Sequence, residues 1–287
     1  MKYYKAPLRI DFAGGWTDIP YLIKGKKGYV SNIAIKPFVL LGENGLDMRQ
    51  YPRGTGLSTS TSAKILETIK EKGGHDYLNS KKIREIAEEL FEAENNELSW
   101  AIGRQDPYSI VFGGFNCFEF GQDKAEPLPF KIKEENLKKL KSNLLLFYSG
   151  VSRMAQSIVE QVYSNFNSKE SARKALDTIG QCGLDFAKNL EQGNLDKCGE
   201  IMAVNWENQK ILAPVSSNSE LDKIYDLAIK NGALGGKMCG AGGGGAFIFY
   251  TKDKNMLKKA LEANFKSGFE LPFEFEHRNI IDINKIF

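Results

Sequence analysis

With 287 residues, 26% of them charged and a formal net charge of only +3, the chain has length for one large or two small domains but no global field that singles out nucleic acid or membrane as a partner. The four cysteines, Cys117, Cys182, Cys198 and Cys239, lack both the paired spacing of a zinc site and the density of a disulfide scaffold, so they read as reduced thiols. No uncharged apolar run approaches membrane-spanning length and the first residues carry no apolar signal core, which gives the expectation of a soluble, cytoplasmic protein of enzyme size.

In chain order, Ala6 to Ala13 predicts a strand running into Gly14-Gly15, and Gly28 to Ile35 a second strand. A helix is expected directly after the hydroxyl-rich stretch ending at Ala63. Another is expected over Lys81 to Glu97, where Ile83, Ile86, Ala87, Leu90 and Phe91 recur at helical spacing. Ile110 to Phe120 reads as a strand pair turned at Gly113-Gly114, and Asn143 to Tyr148 as a buried strand ending near Gly150. Ser152 to Gln192 is predominantly helical, followed by helices over Asp196 to Leu212 and Glu220 to Asn231. A glycine-rich segment then leads into a strand at Ala246 to Tyr250, a helix at Met256 to Ala263 and a final strand at Leu271 to Glu276. No internal repeat is visible. The irregular interleaving predicts an α+β chain in two closely packed halves with a boundary near Lys141.

Four segments carry chemical information. In Pro52-Arg53-Gly54-Thr55-Gly56-Leu57-Ser58-Thr59-Ser60-Thr61-Ser62-Ala63, glycines alternate with hydroxyls just before a helical run. Glycines let a backbone approach an anion, a helix start offers unpaired N–H groups, and hydroxyls can reach a phosphate oxygen or its metal. Taken alone, the segment is equally a flexible loop with a serine-rich cap. Arg9 to Asp18 is a strand emptying into a tight polar loop, a common carrier of substrate ligands, though Asp18 could simply cap the next element. Glu94 and, twelve positions later, Asp106 in Gly103-Arg104-Gln105-Asp106 supply two carboxylates suited to metal binding and proton acceptance. The bland alternative is a solvated acidic helix face. Gly235 to Gly245 is glycine-dense for a plain connector and implies positive φ angles or a close backbone approach, with a flexible linker as the alternative. It fits neither the P-loop nor the dinucleotide pattern.

Taken together these segments resemble the GHMP small-molecule kinases. Ala6-Pro7-Leu8-Arg9-Ile10 through Asp18 is similar to that superfamily's first motif, Pro52 to Ala63 to its second, and Lys237 to Gly245 to its third, in the family's order. Gly103-Arg104-Gln105-Asp106-Pro107-Tyr108, Phe112-Gly113-Gly114-Phe115-Asn116 and Trp206-Glu207-Asn208 look most like heptose-phosphate kinases and fucose-type sugar kinases. The resemblance runs nearly end to end. It implies an α+β fold with a ribosomal-protein-S5-domain-2-like N-terminal half, residues 1–140, that binds ATP, and a ferredoxin-like C-terminal half, residues 141–287.

The resemblance also implies roles. Gly54, Gly56, Leu57, Ser58, Thr59 and Ser60 match the loop around the ATP phosphates, with Ser60 and Glu94 at the positions that hold Mg²⁺. Asp106 matches the aspartate that accepts or orients the proton of the sugar hydroxyl, and Arg9 the arginine beside it, which would offset developing negative charge. Asp18 and Gln105 fall where substrate hydroxyls are held, and Gly240 to Gly245 is expected to pack against the phosphate loop. The implied activity is transfer of the γ-phosphoryl group of ATP to a sugar, with the anomeric hydroxyl of a heptose phosphate first and fucose or another hexose next. For the substrate's own phosphate, Ser152 and Arg153 are the candidates, after a strand and at a helix start.

Two departures and two rivals stand beside this reading. Only thirteen residues, Val39 to Tyr51, separate Phe38 from Pro52, where relatives usually carry several strands and a helix that contribute to the nucleotide-base pocket. Arg104 replaces a lysine common in such kinases. One rival is a non-catalytic protein that binds a nucleotide or sugar phosphate, supported by the short segment and opposed by the set Arg9, Ser60, Glu94 and Asp106. A nucleic-acid module has no basic stripe with interleaved aromatics to support it. The sequence leaves a homodimer open, assigns no role to His75 or His277, and favours core packing over sugar stacking for Trp16.

Overall fold

The computed structural model describes residues 3–97, 102–151 and 155–285. Strand β1 (Tyr4–Ala13) is followed by the one-turn helix α1 (Pro20–Ile23), the long strand β2 (Gly28–Gly42) and the short β3 (Gly45–Asp47). Next come the helices α2 (Thr59–Glu71), α3 (His75–Ser80), α4 (Ile83–Glu97) and α5 (Gln105–Phe112). These lead to β4 (Phe115–Phe120), β5 (Ala125–Pro127), α6 (Glu134–Ser142) and β6 (Leu144–Tyr148). The helices α7 (Ala155–Ser168), α8 (Glu170–Gln192), α9 (Leu195–Leu212) and α10 (Ser219–Lys230) precede β7 (Ala233–Met238) and β8 (Ala246–Thr251). Finally, α11 (Lys254–Asn264), β9 (Phe269–Glu270), β10 (Glu274–Phe275) and α12 (Ile280–Ile283) complete the described chain.

Two antiparallel sheets organise these elements. In the first, β1 pairs with β2 so that Arg9 faces Ala34 and Asp11 faces Asn32, β2 pairs in turn with β4, and β4 with β5. The far half of β2 also carries β3 and β10. The second sheet runs in the order β7-β8-β6-β9, with Phe147 of β6 opposite Phe247 of β8. Along β1 the strand alternation sends Leu8, Ile10 and Phe12 to one face and Arg9 and Asp11 to the other. The apolar set joins the main core; the charged pair points to the site described below. All four cysteines are buried and free of disulfides. Among the described residues no helix is long and apolar enough to cross a membrane.

Three expectations from the sequence are corrected. Ile110 to Phe112 is not a strand but the end of α5, whose Ile110 and Val111 are wholly buried. A short helix buried on all sides shows the same unbroken apolar run as an interior strand, and periodicity cannot separate the two. The glycine-rich segment begins inside a strand, because Gly235 and Gly236 belong to β7. A Cβ at Gly235 would overlap the Gly199 carbonyl of α9, so helix and strand touch there without a side chain between them. Of the expected final strand, Leu271 to Glu276, only β10 (Glu274–Phe275) is strand, hydrogen-bonded into the first sheet, while β9 lies before it, on the other side of Pro272, and pairs into the second. A proline removes a ladder donor and permits this change of sheet.

Apart from β10, the strands of the first sheet precede Lys141 and those of the second follow it, yet the two sheets interlock in space. The β10 strand returns to β2, and α8 packs across β1 and β2, where Phe186 stacks on Phe12 with ring centroids 4.7 Å apart. Truncating such a buried aromatic removes its transfer energy and leaves a cavity. Phe186→Ala is therefore expected to cost about 3–5 kcal/mol while urea unfolding remains a single transition. A wild-type midpoint, or separate transitions for the two sheets, would count against this packing.

Candidate active site

The site is built where β1, the loop before α2, the start of α5 and the segment after β7 converge. Arg9 is buried; its Nε donates to Oδ1 of Asp106 at 2.7 Å and its Nη1 donates to the Gly56 carbonyl at 2.7 Å. The other oxygen of Asp106 accepts from the Ser58 hydroxyl at 2.5 Å. Ser58 holds a left-handed backbone, φ 63°, directly before α2 and spends its side chain on Asp106 rather than on capping the helix. Burial opposes the charge on Arg9, but Asp106 and Asp11 more than offset this and its pKa is raised.

Two cavities meet at this pair. One, of about 500 Å³, is lined by Met48, Tyr51 and Pro52, the loop from Arg53 to Gly56, the first turn of α2, Lys64 and Glu67. At its floor the leading N–H groups of α2 lack helical partners and the helix presents its positive end, which together favour an anion. The other, of about 200 Å³, is lined by Asp11, Gly15, Trp16, Asp18, Glu94, Gly103, Gln105 and Gln209 among others. Among the described residues, Arg9 and Asp106 alone line both.

The loop before α2 is shaped by the glycines after β7. A Cβ on Gly56, at φ +81°, would overlap the Cys239 carbonyl, and one on Gly245 would lie 2.5 Å from the Gly54 carbonyl. Ala246 N–H donates to the Thr55 carbonyl at 2.9 Å, so the two segments join backbone to backbone. Of the expected packing of Gly240 to Gly245 on the loop, the structure has the contact at Gly245, next to Ala246, with Cys239 at the other end; Gly242 and Gly243 instead lie against Ser216 and Ile158.

Of the residues singled out from the sequence, Arg9, Ser58 and Asp106 form one hydrogen-bonded unit, and Gly54, Gly56, Thr59 and Ser60 line the larger cavity. Leu57 is buried, and the contact it supplies to the site is its carbonyl, which accepts from Arg9 N–H at 3.2 Å. Ser60 is exposed on α2; the hydroxyl that meets Glu94 is that of its neighbour Thr61, 2.8 Å from Oε1. Asp18 and Gln105 lie together, with the Gln105 amide donating to Asp18 Oδ2 at 3.0 Å. Ser152 and Arg153 lie outside the described residues. Arg104 turns away, bonding Glu88 at 3.0 Å and covering the Phe91 ring, so it ties α5 to α4. Trp16, expected in the core, packs partly against the Ile19 cluster but also lines the smaller cavity.

Sequence reasoning passed over four contributors. Thr61 and Lys64 follow the loop at helical spacing, a signal available in principle. Met48 and Tyr51 come from the short Val39–Tyr51 segment, which ends β2, forms β3 and still walls the larger cavity; the Tyr51 hydroxyl donates to the Pro272 carbonyl at 2.5 Å. For a metal, no three His, Cys, Asp or Glu side chains converge among the described residues. Glu94 and the Thr61 hydroxyl that donates to it are nevertheless hard oxygens of the kind that suits Mg²⁺, which takes one or two carboxylates and completes its shell with water and phosphate oxygens; Ser60 is the next residue before Thr61 on α2.

Against this geometry, the family described as GHMP kinases C terminal matches residues 186–270. D-glycero-alpha-D-manno-heptose 7-phosphate kinase from Campylobacter jejuni is 28% identical over 335 aligned positions that cover 96% of this chain and 97% of that protein. The bifunctional fucokinase/GDP-fucose pyrophosphorylase of Arabidopsis thaliana is 23% identical, covering 88% of this chain and 30% of its own. The crystal structure of a D-glycero-D-manno-heptose 1-phosphate kinase from Bacteroides thetaiotaomicron superimposes with a TM-score of 0.70 at 21% identity, covering 96% of this chain and 97% of that one. The fold is thus the α+β fold of GHMP-type small-molecule kinases, and residues 186–270 match the C-terminal family of these kinases. The proteins this chain is similar to include heptose-phosphate and other sugar kinases.

Asp18 is 3% exposed, and its pKa is pushed up to about 7, first by burial and then by the charges of Asp106 and Asp11, against the opposing Gln105 amide. Folded Asp18 therefore holds its proton more tightly than the unfolded residue does. The stability this confers is complete below about pH 4 and is lost as pH rises to about 7. Asp18→Asn keeps an acceptor for the Gln105 N–H and removes the charge. Thermal unfolding should find this variant more stable than the wild type at pH 8, by up to about 4 kcal/mol, with no such gain at pH 4; equal differences at both pH values would contradict the assignment.

Proposed function

We propose that this chain is an ATP-dependent sugar kinase that transfers the γ-phosphoryl group of ATP to a sugar hydroxyl. The observation that carries the reading is the Arg9–Asp106 pair at the junction of two cavities, one ending on the N-terminus of α2 and the other rich in hydrogen-bond acceptors. A phosphoryl donor in the first and a polyol in the second would bring their reacting atoms together at that pair.

In this reading the phosphates lie on the α2 N-terminus and the Gly54–Ser60 loop, beside Arg53 and Lys64, and the base lies towards Met48 and Tyr51. Glu94, Thr61 and Ser60 would hold Mg²⁺, which supplies charge neutralisation on the phosphates when bound. The sugar oxygen forms its bond to the γ-phosphorus as the bond to the bridging β,γ-oxygen breaks, and ADP leaves. Asp106 takes the hydroxyl proton, and Arg9 both fixes Asp106 and faces the negative charge that develops on the transferred group. Alignment and electrostatics carry most of the rate, as phosphoryl transfer asks little covalent chemistry of a protein.

The first substrate candidate is a heptose phosphate, phosphorylated at its anomeric hydroxyl, supported by the end-to-end similarity to the Campylobacter heptose 7-phosphate kinase. Ser152 and Arg153 would meet the sugar's own phosphate. A second reading, fucose or another neutral hexose, is favoured by a specific feature. The described lining of the smaller cavity contains Asp11, Asp18, Glu94 and Asp106 but only Arg9 as a cation, and that guanidinium is committed to Asp106 and Gly56.

ADP release with Mg-ATP, measured across heptose 7-phosphate, L-fucose, D-galactose and D-mannose, tests both. Turnover is expected with one of them, and Asp106→Asn should lower kcat by about 100-fold or more with nucleotide affinity retained. Undiminished turnover in that variant would sink the mechanism, and nucleotide binding without turnover on any sugar would favour a non-catalytic binding protein. Arg153→Ala should raise KM for heptose 7-phosphate and leave KM for a neutral sugar unchanged; an unaltered heptose 7-phosphate KM removes Arg153 from the site.

A further inference from the structure

Asp11 stands two residues beyond Arg9 on the same face of β1, and among the described residues one of its oxygens is spent and the other is not. Oδ2 accepts from Lys237 Nζ at 2.8 Å, and the same ammonium reaches the Asp11 carbonyl at 3.2 Å. Both side chains are almost wholly buried, at 1% and 2% exposure. Lys237 belongs to β7 of the second sheet, so the ion pair crosses between the two sheets. Oδ1 is buried with no hydrogen-bond partner among the described residues, and Gln105 Oε1 is in the same condition. Both residues line the smaller cavity, and they sit close together: a Cβ at Gly15 would lie 2.6 Å from Asp11 Oδ2 and 3.5 Å from the Gln105 amide nitrogen. The absence of a side chain at position 15 keeps that corner open.

An unsatisfied buried acceptor is costly, and most of all when it belongs to a charged pair already taken out of water. Two such oxygens, on side chains that line one cavity and approach each other beside Gly15, call for a ligand that brings two O–H donors. Asp106, the carboxylate assigned to the reacting hydroxyl, belongs to α5 and bonds Arg9, two residues before Asp11 on β1, so Asp11 lies about 7 Å along the strand from that pair.

We infer that Asp11 is a sugar-binding residue of the acceptor cavity, its Oδ1 accepting one hydroxyl of the substrate while Gln105 Oε1 accepts a neighbouring one, with Lys237 as the positioning residue that holds Asp11 in place. The inference deepens the sugar-kinase reading and rests on it for the ligand class. It assigns specificity to hydroxyls other than the one phosphorylated. A sugar lacking the hydroxyl read by Asp11 loses a charge-assisted hydrogen bond and leaves the carboxylate oxygen unpaired.

The test is equilibrium binding by calorimetry, without nucleotide, of L-fucose, D-mannose, D-galactose and heptose 7-phosphate and of the mono-deoxy forms of whichever binds. Wild-type protein should lose about 10- to 100-fold in affinity for one mono-deoxy sugar altered away from the phosphorylated position. Asp11→Asn leaves Lys237 buried without its partner and could fail to fold, so the paired variant Asp11→Asn/Lys237→Met is measured beside it. That pair should bind the parent sugar about 10- to 100-fold more weakly and show no further loss with the same mono-deoxy sugar, while its ATP affinity stays that of the wild type. Equal parent-sugar affinity in wild type and the paired variant overturns the inference and leaves Oδ1 to a buried water. So does a wild type that binds ATP but none of the sugars, or one indifferent to every deoxy position. Sugar binding with this pattern but no ADP release would uphold the role of Asp11 and reject the kinase reading.

Discussion

Arg9 carries a charge that has been taken out of water, and the surrounding structure is arranged to satisfy it. An unpaired buried guanidinium would cost several kcal/mol. Here it is met by the Asp106 carboxylate and the Gly56 carbonyl, which come from different parts of the chain. Meeting that requirement brings the end of β1, the loop before α2 and the first turn of α5 to one point. The same arrangement leaves Asp106 between two cavities with one oxygen on Arg9 and the other on Ser58. A constraint of folding and a constraint of chemistry therefore fall on the same atoms.

Around this point the two halves are joined by close backbone contact and by one buried ion pair. The glycines after β7 let the chain lie directly on the loop before α2, with Ala246 N–H on the Thr55 carbonyl. Lys237, a few residues earlier, reaches across to Asp11. Around the second sheet, α9 and the loop after β7 border the smaller cavity sparsely, through Gln209, Gly240 and Ala241, and the Gln209 amide is itself bonded to the Gly240 and Ala241 carbonyls. This dependence on close backbone contact explains why glycine is concentrated there: a Cβ at Gly245 would meet the Gly54 carbonyl, and one at Gly242 or Gly243 would meet Ser216 or Ile158.

Much of the fold could be read in advance wherever one periodicity dominated. The helix over Ile83–Glu97 shows a 3.6-residue apolar repeat, and the strands at Tyr4–Ala13 and Ala246–Thr251 are β-rich runs bounded by glycine. Reading failed where burial was complete or the pairing partner was remote. Ile110 to Phe112 carries no periodicity because every side of it is covered, and β7 looked like a loop because two of its six residues are glycine. The split of β9 and β10 between sheets depends on strands that lie more than a hundred residues away.

In the site, the residue types and order of Arg9, the Gly54–Ser60 loop, Glu94 and Asp106 were visible in the chain itself, because glycines and hydroxyls ahead of a helix, carboxylates and an arginine stand out by composition alone. The sequence by itself therefore determined the chemistry available: glycines and hydroxyls ahead of a helix, carboxylates and one arginine. Only the tertiary structure decided which atoms meet, that Thr61 rather than Ser60 touches Glu94, that Arg104 serves α4, and that Asp11 is clamped by Lys237 from 226 positions away. The reason is physical. Side-chain identity follows from local composition, whereas hydrogen-bond partnership and desolvation follow from packing between elements distant in sequence, and no local pattern records them.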